Sequence, residues 1–400
     1  EVSSFHGACG IPFERFREGE NLRIAFGKSI NSGGDGGNAG ELCRGEIVFS
    51  GQKPIPTPLL FIDDERRHAV EEEISGAFFE RLGLLTVTED SGKVYPLSDQ
   101  ASSVLDVLRF ALDARGANVV TSCDVIEVKH KARGYEALCA TGEKYFGDKL
   151  IIACGGAAGK KLGGSKSGYH LLSQLGHSCT ELLPSLTQIK TDPTYVKALK
   201  GVRADAHVRL RKDGQTVQDS FGEVQFTDFG LSGPEAFTLS RAAATGGENQ
   251  ELALDFFREY GDGVLLDMLQ EKRANLPALA AEDLFSGMLQ SRLGKMIVKR
   301  AGLKYQTPLQ SLNDEQLLAC VKIAKWFTLA VEGVMGFDSA QVTAGGVSTR
   351  EFDARTLEST ISPGLFVCGE VLDIDGDCGG FNLQWAWSSG YLAGRLGEGD

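Results

Sequence analysis

The chain has 400 residues, 42% of them apolar and 24% charged, and a formal net charge of −13. This length predicts two or three domains with ample core. The acidic balance and the lack of any Lys/Arg run argue against nonspecific nucleic-acid binding. No apolar run approaches the roughly 20 residues of a membrane helix. Nine cysteines, none in C-x-x-C spacing and with no signal-peptide pattern, predict reduced thiols and a cytoplasmic protein. Six scattered histidines give a zinc site little support. Glycine is over-represented: 50 residues, about twice the usual share of roughly 7%, clustered at 27–40, 155–168 and 369–399. Such clusters suit tight turns and close approach of backbone to a ligand.

In chain order, LRIAF (22–26) is a short apolar run bounded by Gly and predicts a strand. GKSINSGGDGGNAG, which follows, has no periodicity and predicts loop. Residues 66–86 carry helical spacing. Residues 101–115 place apolar groups at 104, 105, 108, 111 and 112 and stop before Gly116, the pattern of an amphipathic helix. Strand-like material then runs through ANVVTSCDVIEVKHK, turns at Arg133-Gly134 and returns in EALCAT. KLIIACGG (149–156) predicts a buried parallel strand entering a turn, and YHLLSQLG a helix.

From about 187 the texture changes. TQIKT, AHVRLRKDGQTV and GEVQFTDF alternate apolar and polar residues as half-exposed antiparallel strands do. Lys212-Asp213-Gly214 supplies a hairpin turn. The expectation is a domain inserted at 187–340, with a small β-barrel over about 187–250 and a helical subdomain over about 251–335. Residues 1–186 and 341–400 would form the enclosing α/β domain. VTAGGVST (342–349) and GLFVCGE (364–370) return to short strands ending in Gly.

The chemistry concentrates in CGEVLDIDGDCGGFNLQWAWSSG (368–390). Asp373, Asp375 and Asp377 match the first three ligand positions of a calcium loop, but position 12 is Gln384 and no bidentate Glu arrives. No local partner makes them catalytic acids. A backbone cradle fits better: Gly379-Gly380 allow close approach, Asn382 and Gln384 present amides, and a helix follows. Its small residues Ala386, Ser389, Gly390 and Ala393 let it lie against other backbone. Its N-terminus would favour negative charge on a ligand.

These residues carry a resemblance. The stretch from Gly345 to Arg395 is similar to the C-terminal signature of BaiN/YhiN-type bacterial flavoproteins, NAD(P)/FAD-dependent oxidoreductases. EDSGKVYPLSDQASSVLDVL (89–108), the glycine-rich segment from Lys149, and FGEVQFTDFGLSGPEAFTLSR (221–241) resemble further signatures of that family in the same order. The resemblance covers about residues 60–395. It implies a Rossmann-type, glutathione-reductase-like FAD domain interrupted by a barrel and helical insert. It also implies hydride transfer through flavin N5 to an enone or similar small apolar substrate, held between the flavin and the insert, with NAD(P)H as electron donor. Gly369, Glu370 and Asp377 would lie near the pyrophosphate and ribitol, and Gly380, Asn382, Leu383 and Gln384 at the pyrimidine end. Gly7, Gly10, Gly34, Val125, Ala153, Gly155 and Gly156 complete the implied FAD contacts.

The family's opening motif, strand then G-x-G-x-x-G then helix, has its best counterpart in FHGACG (5–10). Phe5 replaces the first Gly, which serves the tight turn. The helix that follows would run to Gly19. Gly27 stands where a ribose-binding Glu belongs. With only four residues ahead of Phe5, the first strand is expected to be clipped or altered, and FAD binding weakened. The alternative function is a non-catalytic, flavoprotein-like protein that binds a ligand or partner. His177, Ser232 and Cys378 are expected to be structural or turn residues, and Trp385 and Trp387 to pack rather than stack on a ring.

Overall fold

The computed structural model describes residues 16–26, 45–52, 76–90 and 92–397. The chain divides into two compact units, one from residues 1–183 with 341–400, the other from 184–340.

The first unit is built on a five-stranded sheet in the order Leu365–Val367, Lys149–Ile152, Phe16–Phe26, Gly45–Gln52, Asn118–Thr121. Lys149–Ile152 runs parallel to both its neighbours. The other two pairings are antiparallel, so the sheet is mixed. Ile151, Ile152, Phe366 and Val367 are almost fully buried, as the unbroken apolar runs predicted. The strand at LRIAF begins earlier than expected, at Phe16, where a helix reaching Gly19 was predicted. Gly19 and Asn21 are poor helix formers, and the register shifts between Phe16 and Asn21.

The helix Ala101–Ala114 forms as its stripe predicts, and Gly116, at φ +66°, ends it. A three-stranded antiparallel sheet follows, Val125–His130, Tyr135–Cys139 and Lys144–Gly147, with the predicted turn at Gly134 (φ +72°). A disulfide joins Cys123 to Cys139, which corrects the expectation that every thiol is reduced: the pairing of Val125 with Cys139 brings the two together. No helix among the described residues is long and apolar enough to cross a membrane.

The second unit is a closed six-stranded barrel in the order Ile189–Thr191, Gly230–Ser232, Gln215–Phe226, Arg203–Lys212, Gln250–Asp255, Phe327–Val334. Asp213 (φ +48°) and Gly214 (φ +82°) form the predicted hairpin turn. The barrel is not confined to 187–250. Its last strand comes after three helices, Asp262–Asn275, Ser291–Arg300 and Asp314–Lys325. WFTLAV (326–331) falls inside the expected helical subdomain. Phe327 and Leu329 instead point into the barrel core with Val208, Leu210, Val224, Phe226, Leu252 and Leu254. A buried β-branched and aromatic run is ambiguous between the two periods, and strand pairing decides it.

Candidate cofactor site

Two glycine turns lie at the carboxyl ends of adjacent parallel strands. Ala153, Cys154, Gly155 and Gly156 follow Lys149–Ile152; Cys368, Gly369 and Glu370 follow Leu365–Val367. Gly155 (φ +68°) and Gly369 (φ +77°) adopt left-handed conformations that a side chain would strain. In an open parallel sheet this end is where ligands bind.

The turns are locked to each other from behind. A Cβ on Gly156 would sit 2.1 Å from Glu370 Oε1 and 2.5 Å from Thr343 Oγ1, so only Gly fits there. Glu370 Oε1 accepts from Thr343 N at 3.0 Å, and Thr343 Oγ1 accepts from Ala158 N at 2.9 Å. Glu370, expected near a ribitol chain, is thus anchored to the protein through Oε1. Thr343, which the sequence reading passed over, is the residue that ties the two turns together.

The helix Phe381–Ala393 fixes the second turn. Its buried face is Ala386, Ser389, Gly390 and Ala393, the small-residue stripe read from the sequence. Gly369 N donates to Ser389 Oγ at 2.9 Å, and Trp385 Nε1 donates to Gly369 O at 3.1 Å. One helix face, at i and i+4, thus holds both polar groups of a single peptide residue. Trp387 packs edge-on against Phe79, with ring centroids 5.1 Å apart, as a packing residue should.

The loop before this helix is braced by the side chain of Asn382. Asn382 Oδ1 accepts from Gly376 N at 2.8 Å, and Asn382 Nδ2 donates to Gly376 O at 2.9 Å. Gln384 Nε2 donates to Ser388 Oγ at 3.0 Å. Both side-chain amides make local bonds, and Gly380 (φ +97°) opens the helix. Asp377 and Gly380 are exposed, and Leu383 is half-buried. Asp373 Oδ2 accepts from Thr180 Oγ1 at 3.1 Å. Among the described residues no group of three or more His, Cys, Asp or Glu side chains is placed to hold a metal ion.

Val125 starts its strand in the separate three-stranded sheet. Gly7, Gly10 and Gly34, like Phe5 and Gly27, lie outside the described residues. Of the described candidates, the structure brings together Ala153, Gly155, Gly156, Gly369 and Glu370, with the 376–384 loop joined to them through Trp385 and Ser389.

Two further polar clusters occupy this unit. His177, buried at 5% exposure, bonds Glu351 Oε2 through Nδ1 (2.8 Å) and Ser359 Oγ through Nε2 (3.0 Å). Its ring stacks on Phe352 at 4.7 Å. The order Ser–His–Glu matches a nucleophilic triad, but Ser359 Oγ already accepts from Ile361 N and Ser362 N. Both its lone pairs are occupied, its proton is directed at the imidazole, and it is buried. This is a structural knot, in keeping with the reading of His177. Ser178 also donates to Glu351 from its N–H and hydroxyl. These bonds and that of His177 outweigh the effect of burial and hold the Glu351 carboxyl below its ordinary value.

In the second cluster, Tyr169 lies on the helix Ser167–Gln174, whose Gly168 packs on Cys154. Tyr169 is 6% exposed and its hydroxyl has no hydrogen-bond partner. Burial, then the nearby Glu370, pushes its pKa up. A cofactor that brings hydroxyl groups to the two glycine turns fits this arrangement: the turns exclude side chains, and a buried polar atom awaits a partner.

Comparisons with known proteins bear on this site. Residues 68–396 match the family model described as HI0933-like protein Rossmann domain. The chain is 36% identical over 321 residues to a 3-dehydro-bile acid delta(4,6)-reductase of Clostridium scindens, covering 80% of this chain and 78% of that protein. It is 27% identical over 299 residues to a ribosomal RNA dihydrouridine synthase of Escherichia coli, covering 74% and 72%. The like-named protein of Haemophilus influenzae is 24% identical over 297 residues, covering 73% and 71%.

Proposed function

Since the chain belongs to the HI0933-like flavoprotein family and is an oxidoreductase, we propose that it is an FAD-dependent reductase of a ring carbon–carbon double bond conjugated to a carbonyl, in a small apolar substrate. The first unit is then a glutathione-reductase-like FAD domain, and the barrel unit its insert. NAD(P)H is the proposed electron donor. Bound FAD would supply hydride transfer through N5.

The observation that carries this reading is the Gly369 turn, held at both polar groups by Trp385 and Ser389 beside the Gly155-Gly156 turn. The residues' own work is positioning. Gly155, Gly156 and Gly369 let a sugar–phosphate chain lie against backbone. Thr343 and Glu370 keep the two turns in register. The helix Phe381–Ala393 directs its N-terminus at the ring end, where a developing negative charge is favoured. Asn382 fixes the loop that sets that direction.

The relatives' names support the reaction class. A 3-dehydro-bile acid is a ring ketone, and dihydrouridine is a uridine saturated in its base; hydrogen added beside a carbonyl is common to both. Two relatives thus favour a second reading, reduction of uracil in RNA. The net charge of −13 favours the small substrate, because binding a polyphosphate chain draws on Lys and Arg contacts. The test is direct. Purified protein should show visible flavin absorbance that NADH or NADPH bleaches, and a cyclic enone should restore it. Reoxidation by uridine-containing RNA and not by enones would replace the first reading with the second. A colourless protein that stays colourless with added FAD would remove both.

A further inference from the structure

Four buried side-chain atoms among the described residues lack a hydrogen-bond partner: Tyr169 Oη, Thr187 Oγ1, Thr191 Oγ1 and Gln250 Oε1. The last three belong to the barrel unit. Tyr169 alone stands in the unit with the glycine turns. A buried hydroxyl without a partner costs stability, and native proteins keep such groups where something completes them.

A second tyrosine in the same unit shows the usual solution. Tyr135, 3% exposed, donates to Pro363 O at 2.9 Å and Ser362 O at 3.1 Å. Tyr169 is as deeply buried and makes neither kind of bond. Its electrostatic neighbours are Glu370, Cys154 and Cys179. Thr343 comes near the phenol without closing a hydrogen bond of normal geometry, and its Oγ1 already accepts from Ala158 N. The orphan hydroxyl therefore sits with the Thr343–Glu370 link that holds the two glycine turns together.

We propose that Tyr169 is a cofactor-binding residue, whose hydroxyl donates to a neutral hydroxyl of the flavin's ribitol chain while Glu370 accepts from that same hydroxyl. The proposal rests on the FAD reading above. The chemistry selects a polyol over a phosphate. An anionic phosphate beside the Glu370 carboxylate would meet like charge, whereas a neutral hydroxyl can donate to the carboxylate and accept from the phenol. Burial raises the phenol's pKa, so Tyr169 stays a donor through the working pH range. A trapped water offers the same donor and acceptor, and the test separates the two.

The experiment compares wild type, Tyr169→Phe and Tyr135→Phe, each freed of bound flavin. FAD affinity is measured by calorimetric titration, and the flavin-free midpoint by thermal unfolding. Losing one neutral hydrogen bond should weaken FAD binding by Tyr169→Phe roughly five- to tenfold. Its flavin-free midpoint should equal or exceed that of wild type, because an unsatisfied group has been removed. Tyr135→Phe should do the reverse, with a lower midpoint and unchanged FAD affinity. Tyr169→Phe binding FAD as tightly as wild type would overturn the proposal and point to a trapped water. So would a flavin-free midpoint for Tyr169→Phe that falls like that of Tyr135→Phe. Wild type that binds no FAD overturns the cofactor reading itself and the proposal with it.

Discussion

His177 and Tyr169 lie in the same unit and are about equally buried, yet the cluster around one is closed and that around the other open. Around His177 every polar group has a partner: Glu351, Ser359, Ser178 and two backbone N–H groups complete one another. Around Tyr169 the links from Thr343 to Glu370 and Ala158 are made, but the phenol is left over. A closed cluster gains nothing from a ligand, because each donor and acceptor is already used. An open one loses its penalty when a ligand arrives. On the proposed reading, the comparison separates residues that hold the fold from residues that would meet a cofactor, although both look like buried polar chemistry.

The largest effect should come from breaking the closed cluster. His177→Ala removes a buried ring, its stacking on Phe352 and two hydrogen bonds, and leaves Glu351 and Ser359 short of partners. The expected cost is about 3–5 kcal/mol, with the FAD affinity of the folded fraction retained. Denaturant unfolding in a Trp326→Phe background reads this unit, since the remaining tryptophans are Trp385 and Trp387. A cost under about 1 kcal/mol would mean that the cluster is not closed in solution.

Next comes Gly156→Ala, aimed at the open cluster. The new methyl would overlap Glu370 Oε1 and Thr343 Oγ1, both held by hydrogen bonds. Overpacking of this kind costs about 1–3 kcal/mol. Here flavin content should fall more steeply than stability, because the displaced group is Glu370. Equal losses would place Gly156 with the fold-holding residues instead. Ser389→Ala should follow at about 1–2 kcal/mol, since it leaves the buried Gly369 N–H without its acceptor.

Much of this was legible in the sequence, and what was missed has a common cause. The two parallel strands, the glycine turns and the small-residue face of the last helix announce themselves by period and composition. The barrel's final strand did not, because FTLAV follows directly on a helical stripe and its partners lie more than seventy residues back in sequence. Thr343 and Ser359 were missed for the same reason, as was the hydrogen bond made by Ser389, which reads only as a small residue. A small hydroxyl residue is ordinary in sequence and gains its role only from a partner brought in by the fold. Asn382 and Gln384, amides after a Gly pair, look like ligand contacts in sequence; the local hydrogen bonds that they make become visible only in the fold. The family match begins at residue 68, so FHGACG stands outside it.

The smallest effect is a slope rather than an offset, and it tests the closed cluster through its carboxylate. Hydrogen bonds from Ser178 and His177 hold Glu351 below its ordinary 4.5, against the opposing pull of burial. A carboxyl whose folded pKa is depressed binds protons more weakly in the folded state than in the unfolded one. Its contribution is therefore fully present above the unfolded value and is lost as pH falls through the folded one. Wild type should lose stability progressively as pH drops below 4.5. Glu351→Gln, which cannot titrate, should be less stable at neutral pH but show a flatter acid limb. The two curves should converge as acid is added. If they stay parallel, Glu351 does not exchange its proton on unfolding with the affinity the closed cluster requires. The His177 knot would then be looser than its geometry, and the contrast with Tyr169 would rest on the phenol alone.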